Sequence, residues 1–120
     1  WGDADAAERF RRETVEEMQH AEKIVQRMLA VGVAPAASQL RAVTHAPDLI
    51  GLLRLNTQLE NDLISLYAEA SRFCVLVGDT TNEAFFRELL NDEQHHGAEL
   101  SAWLRSLGGQ VNRHQERATF

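Results

Sequence analysis

Cysteine is nearly absent from this sequence. Cys74 stands alone in 120 residues, so no internal disulfide can form and a reducing compartment, the cytoplasm, is expected. Proline is almost as scarce, with Pro35 and Pro47 confined to one stretch; elsewhere nothing forbids a long helix. Extended apolar runs are also missing. None approaches the ~20 residues needed to cross a bilayer, and no basic-plus-apolar signal segment opens the chain, so no membrane association is expected. Positive charge is in deficit, with 12 Lys and Arg against 18 Asp and Glu and a net charge of −6. That balance excludes a phosphate-tracking groove and a nucleic-acid partner, while a surface that attracts cations remains compatible with it. Finally, the first residue is Trp1 and not methionine, so an upstream segment is expected.

What remains is ordinary globular composition, about a quarter charged and somewhat under half apolar, in a length that suits one domain. Gly32, Gly78, Gly108 and Gly109, together with the two prolines, cut the chain into three long segments with no candidate strand between them. The first spans about residues 5–31, with Phe10, Ala21, Ile24, Met28 and Val31 recurring at helical steps. The second spans about 48–77, with Asp48 as a candidate cap and Leu53, Leu59, Leu63, Tyr67, Cys74 and Val77 on its inner face. The third spans about 81–107, with Phe86, Leu89, Leu90, Leu100, Trp103 and Leu104 facing inward and Asp79, Thr80 or Thr81 as cap. Residues 108–120 read as a polar tail after a glycine stop. Short connections favour antiparallel packing, whereas the stretch Val33–Ala46 is long enough to run the length of a bundle. The expected fold is an all-α bundle over residues 1–107, with three long helices visible.

Polar residues interrupt the inner faces at informative places. Glu17 and His20 fall seven and ten residues after Phe10, and Glu93 and His96 fall seven and ten after Phe86. Glu60 lies between Leu53 and Tyr67. A Glu and a His three residues apart share a helix face and can reach one metal centre. Buried carboxylates cost several kcal/mol each unless compensated, and a divalent metal compensates them. One Glu-x-x-His is weak evidence, since most such pairs are surface pairs. Two of them with an intervening Glu60 match the way di-iron carboxylate bundles are built. Mixed oxygen and imidazole ligation suits iron or manganese better than zinc. Glu13, Glu16, Glu22, Glu88 and Glu99 read as solvated faces, Met28 and Cys74 as core, and His45, His95 and His114 as exposed or flanking residues.

These residues carry a family resemblance. Glu16-Glu17-Met18-Gln19-His20-Ala21-Glu22 resembles the second helix of a bacterioferritin, Leu59-Glu60 with Leu66-Tyr67-Ala68-Glu69-Ala70 its third, and Asp92-Glu93-Gln94-His95-His96 with Trp103-Leu104 its fourth. The resemblance implies a ferritin-like four-helix bundle whose first helix, with a further iron-binding glutamate, this sequence does not contain. It implies that Glu17 and Glu93 bridge two irons, that His20 and His96 hold one each, and that Glu60 is a terminal ligand on the iron held by His96. The implied activity is iron storage with ferroxidase chemistry at the Glu17, Glu60 and Glu93 carboxylates, oxidising Fe²⁺ to Fe³⁺ with dioxygen or peroxide. That activity depends on the missing ligand being supplied. Met18 stands where the family places the ligand of a b-type haem shared across a two-fold interface, so the resemblance also implies a dimer and a cage. Two other readings stay open: a non-storage di-iron oxidase or peroxidase on the same scaffold, and a structural or haem-bearing subunit with an incomplete di-iron site.

Overall fold

A computed structural model describes residues 1–36 and 42–118, with side chains described as far as residue 108. Among the described residues all regular structure is helical: α1 (Ala4–Ala30), α2 (Leu49–Val77) and α3 (Thr80–Ala118). The all-α expectation therefore holds. The chain divides into two compact units, Trp1–Val43 and Thr44–Phe120.

In the first unit, α1 begins where Asp3 accepts a hydrogen bond from the Ala6 amide at 2.9 Å, satisfying one of the free N–H groups of the first turn. It ends on Gly32, whose φ of +79° turns the chain sharply while the Val33 amide donates back to the Met28 carbonyl at 2.8 Å. Ala6, Phe10, Glu13, Glu17, His20 and Ile24 form one row at steps of three and four residues, and all are buried or half-buried. Ala21 and Val31, expected on this face, are exposed. Ala21 follows His20 and is therefore turned about 100° away from the row, and Val31 lies beyond the last helical residue.

The second unit is a helical hairpin. Asp48 caps α2 by accepting from the Gly51 amide at 2.8 Å. Gly78, at φ +74°, ends α2 in the left-handed region that costs an L side chain about 1–2 kcal/mol. Asp79 then accepts from the Asn82 amide at 3.0 Å and starts α3. Pairings along the hairpin run in opposite directions on the two helices: Ser71 meets Glu83, Tyr67 meets Phe86, and Ile64 lies against Gly97. The helices are thus antiparallel, as a two-residue turn requires.

Its core is regular. On α2 the buried Leu53, Tyr67 and Cys74 share a seven-residue frame with the half-buried Glu60. On α3 the buried Leu89, Glu93 and Leu100 run in line with the half-buried His96. Leu59 and Val77, expected to face inward, are exposed. Leu59 cannot share the centre of the face with Glu60, its chain neighbour, and Val77 sits in the last turn beside the glycine cap. Gly108 does not stop α3, which continues to Ala118. Helical glycine costs only about 1 kcal/mol relative to alanine, and no proline follows to break the run. The expected course of the Val33–Ala46 connection falls partly on residues 37–41, outside the described residues, as does the side chain of His114.

Candidate metal centre

The seven-residue frame of α2 and the Leu89–Leu100 row of α3 determine where the polar groups go. Glu60 occupies the step between Leu53 and Tyr67, so its carboxylate projects into the hairpin seam. Glu93 and His96 occupy the steps between Leu89 and Leu100 on the facing helix. Glu60, Glu93 and His96 each bring one ligand atom to within 4.8 Å of the others. Glu93 has 0% exposure, and Glu60 Oε2, Glu93 Oε2 and His96 Nδ1 are all shielded from solvent. His96 Nδ1 lies 3.7 Å from Glu93 Oε2, the two being three residues apart on one face.

In the other unit, α1 repeats the motif. Glu17 Oε2 and His20 Nδ1 are 3.8 Å apart, with His20 buried and Glu17 half-buried. Met18 points elsewhere and is 68% exposed. On α3, Asp92 is half-buried beside Glu93, while the exposed His95 lies 3.3 Å from Glu99 on a separate face. His45 is exposed. Met28 is half-buried and Cys74 buried, each on its helix's sheltered face.

The donor chemistry can be judged from these atoms. Two carboxylates and an imidazole gathered in a shielded seam suit a divalent ion of intermediate hardness, iron and manganese among them. No positively charged side chain could substitute as a ligand, because guanidinium and ammonium groups have no free lone pair. A fully buried carboxylate is costly, and an imidazole beside it can be a ligand or a proton acceptor as conditions dictate. The donor set therefore fits a metal ion.

The chain matches the ferritin-like domain family over residues 1–108. It belongs to that family. Among curated relatives it is 34% identical to the bacterioferritin of Rhodobacter capsulatus over 96 residues, 80% of this chain and 60% of that one. It is 29% identical to the bacterioferritin of Brucella melitensis over the same span. The chain thus spans about 60% of the length of the curated relatives it matches. Among solved structures, the crystal structure of BfrA from M. tuberculosis superimposes with a TM-score of 0.85, covering 91% of this chain and 68% of that one at 24% identity. The resemblance to bacterioferritins, drawn from motifs spread over about residues 1–107, is borne out by these relatives over 80% of the chain.

Two parts of the unit containing Glu60 were not legible in the sequence. Ser71 donates to Glu83 across the hairpin at 3.3 Å, and Arg87 Nε donates to the same Glu83 oxygen at 2.8 Å, with its Nη2 on that oxygen too. The Glu83–Arg87 spacing is a recognisable helical pair, but its link to Ser71 needs the hairpin register. The second is the approach of Ile64 to Gly97. An isolated glycine inside an otherwise regular helix was its only sequence signal.

Proposed function

We propose that this chain is an iron-storage subunit with ferroxidase activity, taking Fe²⁺ as substrate and passing Fe³⁺ to a store with dioxygen or peroxide as electron acceptor. One observation carries the proposal: in a ferritin-like chain, Glu60, Glu93 and His96 converge within 4.8 Å around a fully buried carboxylate. Glu60, Glu93 and His96 would hold one ion from the hairpin. Glu17 and His20 would hold iron as the matching pair on α1. Iron held there would supply one-electron redox chemistry.

The chain's own residues contribute position and environment. Leu53, Leu89 and Leu100 exclude water from the seam and keep the local dielectric low. There the glutamates favour a cation over bulk solvent, and the half-buried Glu60 offers a carboxylate nearer the surface for the incoming ion. His96 would bind metal as neutral imidazole through a ring nitrogen.

The exposed thioether of Met18 fits a further role as ligand to a b-type haem reached by a second subunit. Self-association into a dimer and a cage, in the cytoplasm, belongs to the same proposal. Loss of a haem absorbance band in Met18→Ala, with Fe²⁺ oxidation retained, is the expected result.

Glu93→Ala decides the main proposal. Fe²⁺-dependent oxygen consumption should fall to the uncatalysed rate while the helical circular-dichroism signal persists. Unchanged oxidation would sink the assignment.

A further inference from the structure

Gly97 sits in the interior of α3, directly after His96 and four residues after Glu93. A mid-helix glycine disfavours the helix relative to alanine, because it adds backbone entropy to the unfolded chain and no packing to the folded one. At Gly97 the missing side chain is replaced by a neighbour. A Cβ built there would lie 3.3 Å from Ile64 Cδ1 on α2, closer than ordinary van der Waals contact. Gly97 and Ile64 are both half-buried. Ile64 in turn stands four residues after Glu60, one turn along the same face. The contact therefore joins the turn that carries Glu60 to the turn that carries Glu93 and His96.

Gly108, in the same helix, has nothing within 4 Å of the corresponding Cβ position. Any α3 glycine lowers helix propensity, but only Gly97 among these two receives a side chain from the facing helix. Metal–ligand distances in a formed site fall within about 0.2 Å of their standard values. A methyl group at Gly97 would force Ile64 to yield by a comparable amount.

We infer that Gly97 is a positioning residue: by admitting Ile64 it sets the separation of α2 and α3 at which Glu60 reaches the metal held by Glu93 and His96. The inference rests on the metal-centre reading above and adds to it a residue that touches no ligand atom of the cluster.

The test is Co²⁺ binding to the full chain, followed by calorimetry and by the visible absorbance of the bound ion. Wild type, Glu93→Ala, Gly97→Ala, Ile64→Val, Gly97→Ala/Ile64→Val and Gly108→Ala are compared. Gly97→Ala should weaken Co²⁺ binding roughly tenfold, the lower end of what supporting residues around a metal contribute, with unchanged helical content. Ile64→Val removes the crowding methyl, so the double variant should recover most of the lost affinity. Gly108→Ala should bind as wild type does, and the double variant is read against Ile64→Val alone. Wild-type affinity in Gly97→Ala overturns the inference, because Ile64 then swings aside without consequence. Weakened binding that Ile64→Val does not restore overturns it too, since the effect would not pass through Ile64. Equal binding by wild type and Glu93→Ala overturns the metal-centre reading itself, and this inference with it.

Discussion

Two glutamates on α3, ten residues apart, have opposite solutions to the same problem. Glu83, near the turn, is joined by Arg87 four residues on and by Ser71 across the hairpin. The hydrogen bond from Arg87, reinforced by its charge and by Ser71 against the opposing effect of burial, holds the Glu83 carboxyl below its ordinary value of 4.5. Glu93, in the middle of the seam, lies beside His96, three residues on. Arginine keeps its proton at any physiological pH and cannot coordinate a metal; histidine does both jobs according to circumstance. Both carboxylates have a basic residue one turn away, and on the proposed metal-binding role the identity of that residue separates a lasting salt link from a site that can change its occupant. The hairpin is fastened at the turn and chemically adjustable at the centre.

The sharpest way to test that contrast is Glu93→Leu. An apolar side chain of similar size should abolish divalent-metal binding and raise the stability of the metal-free chain, because a fully buried carboxylate is costly to keep out of water. Urea titration of metal-free protein checks it; a loss of stability would show that Glu93 is already compensated as well as Glu83 is. A smaller effect is expected from Asp79→Ala at the turn. Removing the cap on the Asn82 amide should cost about 1 kcal/mol and leave Co²⁺ affinity unchanged. The mildest change concerns pH. Because the folded Glu83 carboxyl is depressed, its stabilisation is complete above 4.5 and disappears as pH falls through the lower folded value. Glu83→Gln should therefore flatten the acid limb of a melting-temperature profile and matter little below that limb. An unchanged acid limb would remove the Arg87 link from any account of acid stability.

Much of this architecture could be read in advance because it depends on local rules. The seven-residue spacing of Leu53, Glu60, Tyr67 and Cys74 marks a helix face whatever packs against it. Asp48 and Gly78 announce helix ends through side-chain capping and left-handed backbone conformation. The pairing of Glu93 with His96 follows from helix geometry alone. Features that depend on register between helices were not legible. Nothing local says that Ser71 will meet Glu83 or that Ile64 will fill the space over Gly97. Leu59 misleads because hydrophobicity marks a residue that prefers shelter, not one that finds it within the hairpin. Gly108 misleads for the opposite reason, since a glycine weakens a helix without ending it.

The exposed side of α2 has a practical consequence. Leu59, Leu66 and Phe73 are 49%, 56% and 63% exposed and recur every seven residues, forming a slightly slanted apolar ridge beside the seam. Such a ridge offers a docking strip for environment-sensitive dyes while the protein is still fully folded. Dye fluorescence would then start high and change little on heating, so melting curves should be followed by circular dichroism. Sulfate, which strengthens apolar association by its exclusion from protein surfaces, should drive this chain out of solution at concentrations that its acidic charge alone would withstand.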